Sequence, residues 1–254
     1  MQNIWEIDMA NTLNSNKRNS ISVCMATYNG EKYIEKQLDS ILKNLTNEDE
    51  LIISDDGSTD NTIDILNKYA KKYKQIVLLE GPRKGVIKNF EYALKYAKKD
   101  IIFLSDQDDE WEQDKVEKVI REFNKEKTLV VVHDACVIDA EGHKILGSLF
   151  EIRKSQPGLI KNLVKNSYVG CCMAVRRELL QVALPFPENI EMHDWWLGLI
   201  SDCKNGTVFI NEKLIRYRRH ENNVSRMKHY PLMKMVDNRI CFIKNLIIRL
   251  GLKK

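Results

Sequence analysis

The chain has 254 residues, of which 43% are hydrophobic and 30% charged, with a formal net charge of +4 and six cysteines. This size and composition fit one large globular domain or two small ones and exclude a wholly disordered chain. No apolar run reaches the roughly 18 residues of a membrane span. The cysteines form no Cys-x-x-Cys pair, which argues against zinc and for reduced thiols in a cytoplasmic setting.

Residues 1–19 are polar, Asn-rich and aperiodic, and read as a flexible extension. They lack a basic segment followed by an apolar one, so no secretory signal is expected. Strand and helix signals then alternate. ISVCMATY (21–28) reads as a strand, and Ile34, Leu38, Ile41, Leu42 and Leu45 fall at helical spacing. ELIISDD (50–56) predicts a second strand, with Ser58 or Thr59 able to cap a helix bearing Ile63, Leu66, Ala70 and Tyr73. IVLLEG (76–81) and DIIFLSD (100–106) predict two more strands. Each precedes a helix, marked by Phe90, Ala93, Leu94 and Ala97, then by Val116, Val119, Ile120 and Phe123.

Four successive βα units imply an α/β fold, a mostly parallel sheet with helices on both faces. Ligands in such folds bind beyond the carboxyl ends of the strands. The polar clusters fall there: Thr27 to Gly30, Asp55 to Ser58, and Asp106 to Asp109. Beyond residue 128 the rhythm changes. LVVVHDACVIDAEG (129–142) and VFINEKLIRYRRH (208–220) read as strands, with short helices near 158–166, 175–182 and 194–203. Without repeats or linkers, residues 20–227 are expected to form a single domain.

The run FLSDQDDEW (103–111) places four acids within five positions. Such acids can face solvent at a helix start, or hold a hard divalent cation through carboxylate oxygens. Their place at a strand end, beside two other polar loops, favours the cation, Mg²⁺ or Mn²⁺. Trp111 stands where a calcium loop needs glycine.

ISVCMATYNGEKYIEKQLDSIL, ELIISDDGSTDNT and IIFLSDQDDEW, in this order, resemble the family-two glycosyltransferases of the Rossmann-like GT-A fold. The D-Q-D-D-x-W form resembles the rhamnosyltransferase subset that builds bacterial surface polysaccharides. The resemblance implies a nucleotide-diphospho-sugar donor, UDP- or dTDP-linked, and a saccharide or lipid-linked saccharide acceptor. It places Thr27, Tyr28 and Glu31 in the nucleotide pocket and Asp55 on the base. Arg83 and Lys88 fall where the nucleotide and its phosphates bind, with Asp106 near the ribose and Asp108 on the metal. EMHDWWLGL (191–199) resembles the segment whose aspartate deprotonates the acceptor, making Asp194 the expected general base; its other reading is a helix cap. Gly170, in YVGCCMAVRREL, opens toward the donor sugar. In YRRHENNVS (217–225), His220 is expected to reach the metal or diphosphate and Arg218 to pair with phosphate.

His193 is either a spectator or an acceptor contact, and Asp134 is a candidate for the sugar pocket. Cys171 and Cys172 read as packing residues. The pairs His133-Asp134 and His193-Asp194 also invite a metal phosphohydrolase reading, which the βα alternation opposes. The function expected is inverting sugar transfer. A metal-dependent nucleotidyltransferase and a non-catalytic nucleotide-sugar-binding module are the alternatives.

Residues 228–254 carry seven Lys or Arg against one acid, Asp237. Ile240, Ile243, Leu246, Ile247 and Leu250 are expected on one helix face. This basic amphipathic helix reads either as a peripheral anchor at the inner face of the membrane or as a packing element on the domain or in a homodimer. Nucleic-acid binding is not expected, because no reader module appears.

Overall fold

A computed structural model describes residues 18–221, 223 and 231–251. Most of the expected N-terminal extension lies outside these residues. Its last part is docked, because Arg18 pairs with the buried Asp49 at 2.5 Å.

The first half follows the βα reading. Strand β1 (Ile21–Thr27) is buried along its whole length, the signature of a central strand covered on both faces. It pairs in parallel with β2 (Glu50–Asp55) and β4 (Ile101–Ser105), and β2 pairs in parallel with β3 (Ile76–Glu80). Helices α1 (Ile34–Leu42), α2 (Thr62–Lys72), α3 (Val86–Tyr96) and α4 (Lys115–Phe123) connect or flank these strands. Each turns the apolar residues of its 3.6-residue period inward, as with Ile34, Leu38 and Ile41 of α1. Helix α2 starts later than Ser58 or Thr59 would place it. Ser58 instead bonds Asp55, and Asp60 Oδ1 accepts the Thr62 N–H at 3.0 Å.

Beyond β4 the sheet becomes mixed. The order is β3-β2-β1-β4, then β8 (Met173–Arg176), β6 (Val130–Ile138), β9 (Thr207–Arg218) and β5 (Glu110–Trp111), with β7 (Lys144–Leu146) on β6. Strand β6 runs parallel to β9 and antiparallel to β8. The short strands β5 and β7 complete it. Helices α5 (Leu149–Arg153), α6 (Leu159–Val164), α7 (Arg177–Ala183) and α8 (His193–Cys203) surround this half. One hydrophobic cluster runs through both halves, from Ile21 to Leu246.

Helix α9 (Leu232–Arg249) packs on the domain. Phe242 lies on Trp195 with ring centroids 4.6 Å apart, and Arg249 donates to the carbonyls of Val182, Leu184 and Pro185. The single apolar face expected from the sequence is divided. Leu246 is buried beside Phe242, whereas Ile240, Ile243 and Ile247 point outward.

Candidate active site

Three loops at the carboxyl edge of β1, β2 and β4 are tied together by side-chain hydrogen bonds. Asn29 adopts a left-handed backbone, φ 48°, which Asn tolerates better than most residues. This aims its carboxamide at the next loop, where it accepts the Thr59 N–H at 2.8 Å, while its own N–H donates to Ser58. Glu31 Oε2 accepts both the N–H and the side-chain amide of Asn61. Gln107 acts as a short strand: its amide accepts from Tyr28 N–H at 2.9 Å and donates to Tyr28 C=O at 3.0 Å. Residue 30 is glycine because a Cβ there would lie 2.4 Å from the Gln107 carboxamide. The outcome is a fixed rim on which the Tyr28 ring stands 56% exposed.

Thr27 and Asp55 lie beneath that rim. The Thr27 hydroxyl donates to Asp55 at 2.8 Å, and Ser58 Oγ, Ser58 N–H and Gly57 N–H fill the remaining positions of the Asp55 carboxylate. A carboxylate offers about four lone-pair sites, so a base N–H reaches Asp55 only by displacing one of these donors. Arg83 is exposed and lies over Gly57. Lys88 is held by Glu91 at 3.1 Å and Glu188 at 2.8 Å, and these carboxylates raise its pKa, Glu188 contributing most.

The second acidic loop is built differently. Asp108 Oδ2 receives His220 Nε2 at 2.7 Å and Asn223 Nδ2 at 3.1 Å. The chain thus unites the two expected metal ligands, which lie more than a hundred residues apart. Asp109 accepts the Arg218 N–H through one oxygen, but its buried Oδ2 has no partner. Asp106, Asp109 and Cys171 place ligand atoms within 4.8 Å of one another. Burial, then the Asp108 and Asp194 carboxylates, push Asp106 up to about 7. Burial and the same crowding raise Asp109 well above the usual carboxylate range. The donor set is oxygen-rich, which fits a hard divalent cation.

Arg218 does not face an open phosphate site, contrary to expectation. Its side chain is 1% exposed. Nε donates to the Asp108 carbonyl at 2.9 Å, Nη1 to the carbonyls of Asp139 and Ala140, and Nη2 to Glu110. It is a strut that fastens the acidic loop to β9. Asp134 is likewise structural, accepting from Ala135 N–H, Ser148 Oγ and Phe150 N–H at the start of α5.

Asp194 occupies the first turn of α8 rather than the cap position, which is Met192. Its Oδ2 accepts the Gly170 N–H at 2.9 Å, where a 3-10 turn (Gly170–Cys172) passes close by. A Cβ on Gly170 would meet His193 Nε2 at 3.3 Å, so glycine permits this approach. Burial lifts Asp194 to about 6. His193 is stacked on Phe90 at 4.1 Å, and burial lowers it to about 3, so its ring is neutral at physiological pH.

Lys115 is the residue that sequence reasoning missed. It is fully buried, donates to the Cys171 carbonyl at 2.8 Å and lies 4.0 Å from the centre of the Trp111 ring. Burial lowers it to about 8, while Asp109 and Asp106 oppose that shift. Its signal was a lysine on the apolar stripe formed by Val116, Val119 and Phe123.

Residues 22–183 match the family described as glycosyl transferase family 2. The dTDP-rhamnosyl transferase RfbG of Shigella flexneri is 30% identical over 240 residues, covering 85% of this chain and 80% of that protein. The UDP-Glc:alpha-D-GlcNAc-diphosphoundecaprenol beta-1,3-glucosyltransferase WfgD of Escherichia coli is 27% identical over 232 residues, covering 91% and 89%. The crystal structure of S. aureus TarS 1-349 in complex with UDP-GlcNAc superposes with a TM-score of 0.70 at 20% identity, covering 90% of this chain and 66% of that one. The family match and the relatives agree: the chain belongs to glycosyl transferase family 2.

Proposed function

We propose that the protein is an inverting, divalent-metal-dependent sugar transferase of the rhamnosyltransferase-like type. Its donor is a nucleotide-diphospho-sugar, UDP- or dTDP-linked, and its acceptor a hydroxyl of a saccharide or lipid-linked saccharide. This assigns it to bacterial surface polysaccharide or glycolipid synthesis in the cytoplasm. RfbG and WfgD support the reading by their own activities.

The observation that carries it is the position of Asp194. Its carboxylate accepts the Gly170 N–H, on the same short turn as Cys171, whose sulfur lies within 4.8 Å of carboxylate oxygens of Asp106 and Asp109. The acidic loop after β4 and a candidate base therefore meet at one turn of the chain. Tyr28 offers its exposed ring to the base, above Thr27, Glu31 and Asp55, and Arg83 lies at the rim where the diphosphate enters. Asp106 meets the ribose. Asp108 and His220 would hold Mg²⁺ or Mn²⁺, and Asn223 orients Asp108. Such a cation stabilises negative charge on a departing diphosphate.

Gly170 leaves room for the donor sugar beside Asp194. Asp194 then takes the proton of the acceptor hydroxyl as that oxygen attacks the anomeric carbon from the face opposite the diphosphate. One displacement inverts the configuration without a covalent glycosyl-enzyme. A carboxylate lifted to about 6 is a stronger base than an exposed one and remains ionised at pH 7.

Product analysis across UDP-, dTDP- and GDP-sugars with Mg²⁺ or Mn²⁺ tests this. Nucleoside diphosphate should be released together with a glycosylated product of inverted anomeric configuration. Pyrophosphate release would point instead to nucleotidyl transfer. Donor binding with neither transfer nor hydrolysis would point to a binding module. The outer face of residues 231–251 is open to a partner, so the membrane-contact and homodimer readings compete for it.

A further inference from the structure

We propose that the outer faces of α9 and α6 together form a docking surface for an anionic lipid bilayer. Helix α9 has two apolar faces, and the domain covers one, through Phe242 and Leu246. The other carries Met233, Val236, Ile240, Ile243 and Ile247, all exposed and spaced three and four residues apart along the helix. Beside it, Ile160 and Val164 of α6 are 78% and 69% exposed. Arg239 Nη2 donates to the Val164 carbonyl at 3.1 Å, which joins the two helices. Exposed aliphatic side chains on two adjoining helices mark an interaction site.

Charge selects the partner. Lys161, Lys165, Lys234 and Lys244 are exposed on or next to these helices, and Asp237 is the only acid in α9. Residues 228–254 hold seven Lys or Arg against one acid, while the whole chain is only +4, so the remainder is slightly acidic. An apolar face rimmed by lysines matches acyl chains below anionic headgroups. A second copy packed about a two-fold axis would instead bring two like-charged rims together. Among the described residues no helix is long and apolar enough to cross a membrane, so the proposed contact is peripheral.

The surface also has a fixed relation to the site. Arg239 lies 4.9 Å from the centre of the Trp195 ring, Phe242 packs on the same ring, and Asn238 donates to Glu191. Helix α9 is thereby seated on α8, whose first turn carries Asp194. Docking sets the orientation of the candidate base toward the bilayer. The docking itself does not rest on the sugar-transfer reading, and a vesicle assay measures it without donor or acceptor.

The full chain is sedimented with phosphatidylcholine vesicles made with and without phosphatidylglycerol. Binding should require phosphatidylglycerol and weaken as salt is raised. The triple variant Ile240→Gln, Ile243→Gln, Ile247→Gln should lose about tenfold or more in vesicle affinity. Should that variant fold poorly, Lys161→Gln combined with Lys165→Gln, Lys234→Gln and Lys244→Gln changes only exposed charges and should lose a comparable amount. Failure of the folded wild type to bind anionic vesicles overturns the proposal. So does undiminished binding by both variants. A concentration-dependent dimer in analytical ultracentrifugation, abolished by the triple isoleucine variant, would assign the face to a second copy and also overturn it.

Discussion

Two acidic loops lie at the same edge of the sheet and differ in how their charge is met. The loop after β2 surrounds Asp55 with two hydroxyls and two backbone N–H groups from nearby chain. The loop after β4 leaves Asp109 Oδ2 buried without a partner and crowds Asp106 against Asp108 and Asp194. Similar residues thus do opposite work. Asp55 stabilises its loop and fixes the rim, whereas the second loop crowds carboxyls that retain protons more strongly than usual, and an incoming cation can answer them by displacing those protons. A buried charge without a partner costs stability, and one with several donors contributes it.

Neutralising single carboxylates tests this contrast. The largest effect is expected at Asp194. Asp194→Asn should lower kcat by about 10²–10⁴-fold, the usual worth of a general base, while calorimetry finds donor affinity unchanged. Because burial raises the Asp194 pKa from 3.8 to about 6, its ionised form is disfavoured in the folded chain. The associated stability is present below pH 3.8 and lost as pH rises through 6. The same variant should therefore melt higher than wild type at pH 8, by about 2–4 °C for each kcal/mol gained. In the wild type, kcat/KM should fall about tenfold per pH unit below 6 as the base is protonated.

Next in size is Asp108→Asn, which should weaken Mn²⁺-dependent donor binding by about tenfold or more. His220→Ala should do the same to a smaller degree. Titration calorimetry with and without Mn²⁺ reads both, and unchanged metal dependence in the two variants would remove the assignment.

Smaller, and opposite in sign, are the effects on stability at the two loops. Asp55→Ala strands four donors and should cost about 2–4 kcal/mol in urea unfolding. Asp106→Asn should stabilise the protein without divalent cation. Its advantage should be largest above pH 7 and fade toward pH 4, because the Asp106 pKa is raised from 3.8 to about 7. Destabilisation by both variants at pH 8 would break the contrast. The mildest change is Gln107→Ala, which removes the clamp on Tyr28. It should cost about 1 kcal/mol and weaken donor binding several-fold without altering kcat.

Much of this was legible in the sequence. The four βα units declare themselves because their apolar residues repeat with the periods of strand and helix, and the polar clusters then fall at one edge. The pairing of Asp108 with His220 was accessible only through a family likeness, since nothing local links residues so far apart. Strands β5 and β7 are too short to show a period, and β8 was absorbed into the helix expected at 175–182. Arg218 was misread because a strand-end arginine looks the same whether it meets phosphate or backbone carbonyls. Which carbonyls surround it depends on how Asp139 and Ala140 fold back, and that is set by tertiary packing.

The bond between Gly170 and Asp194 also sets how tightly that carboxyl holds a proton. Burial raises its pKa and the backbone N–H lowers it, so two opposed effects meet on one side chain. Losing the N–H would leave only the first, and the aspartate would then take up a proton at a higher pH.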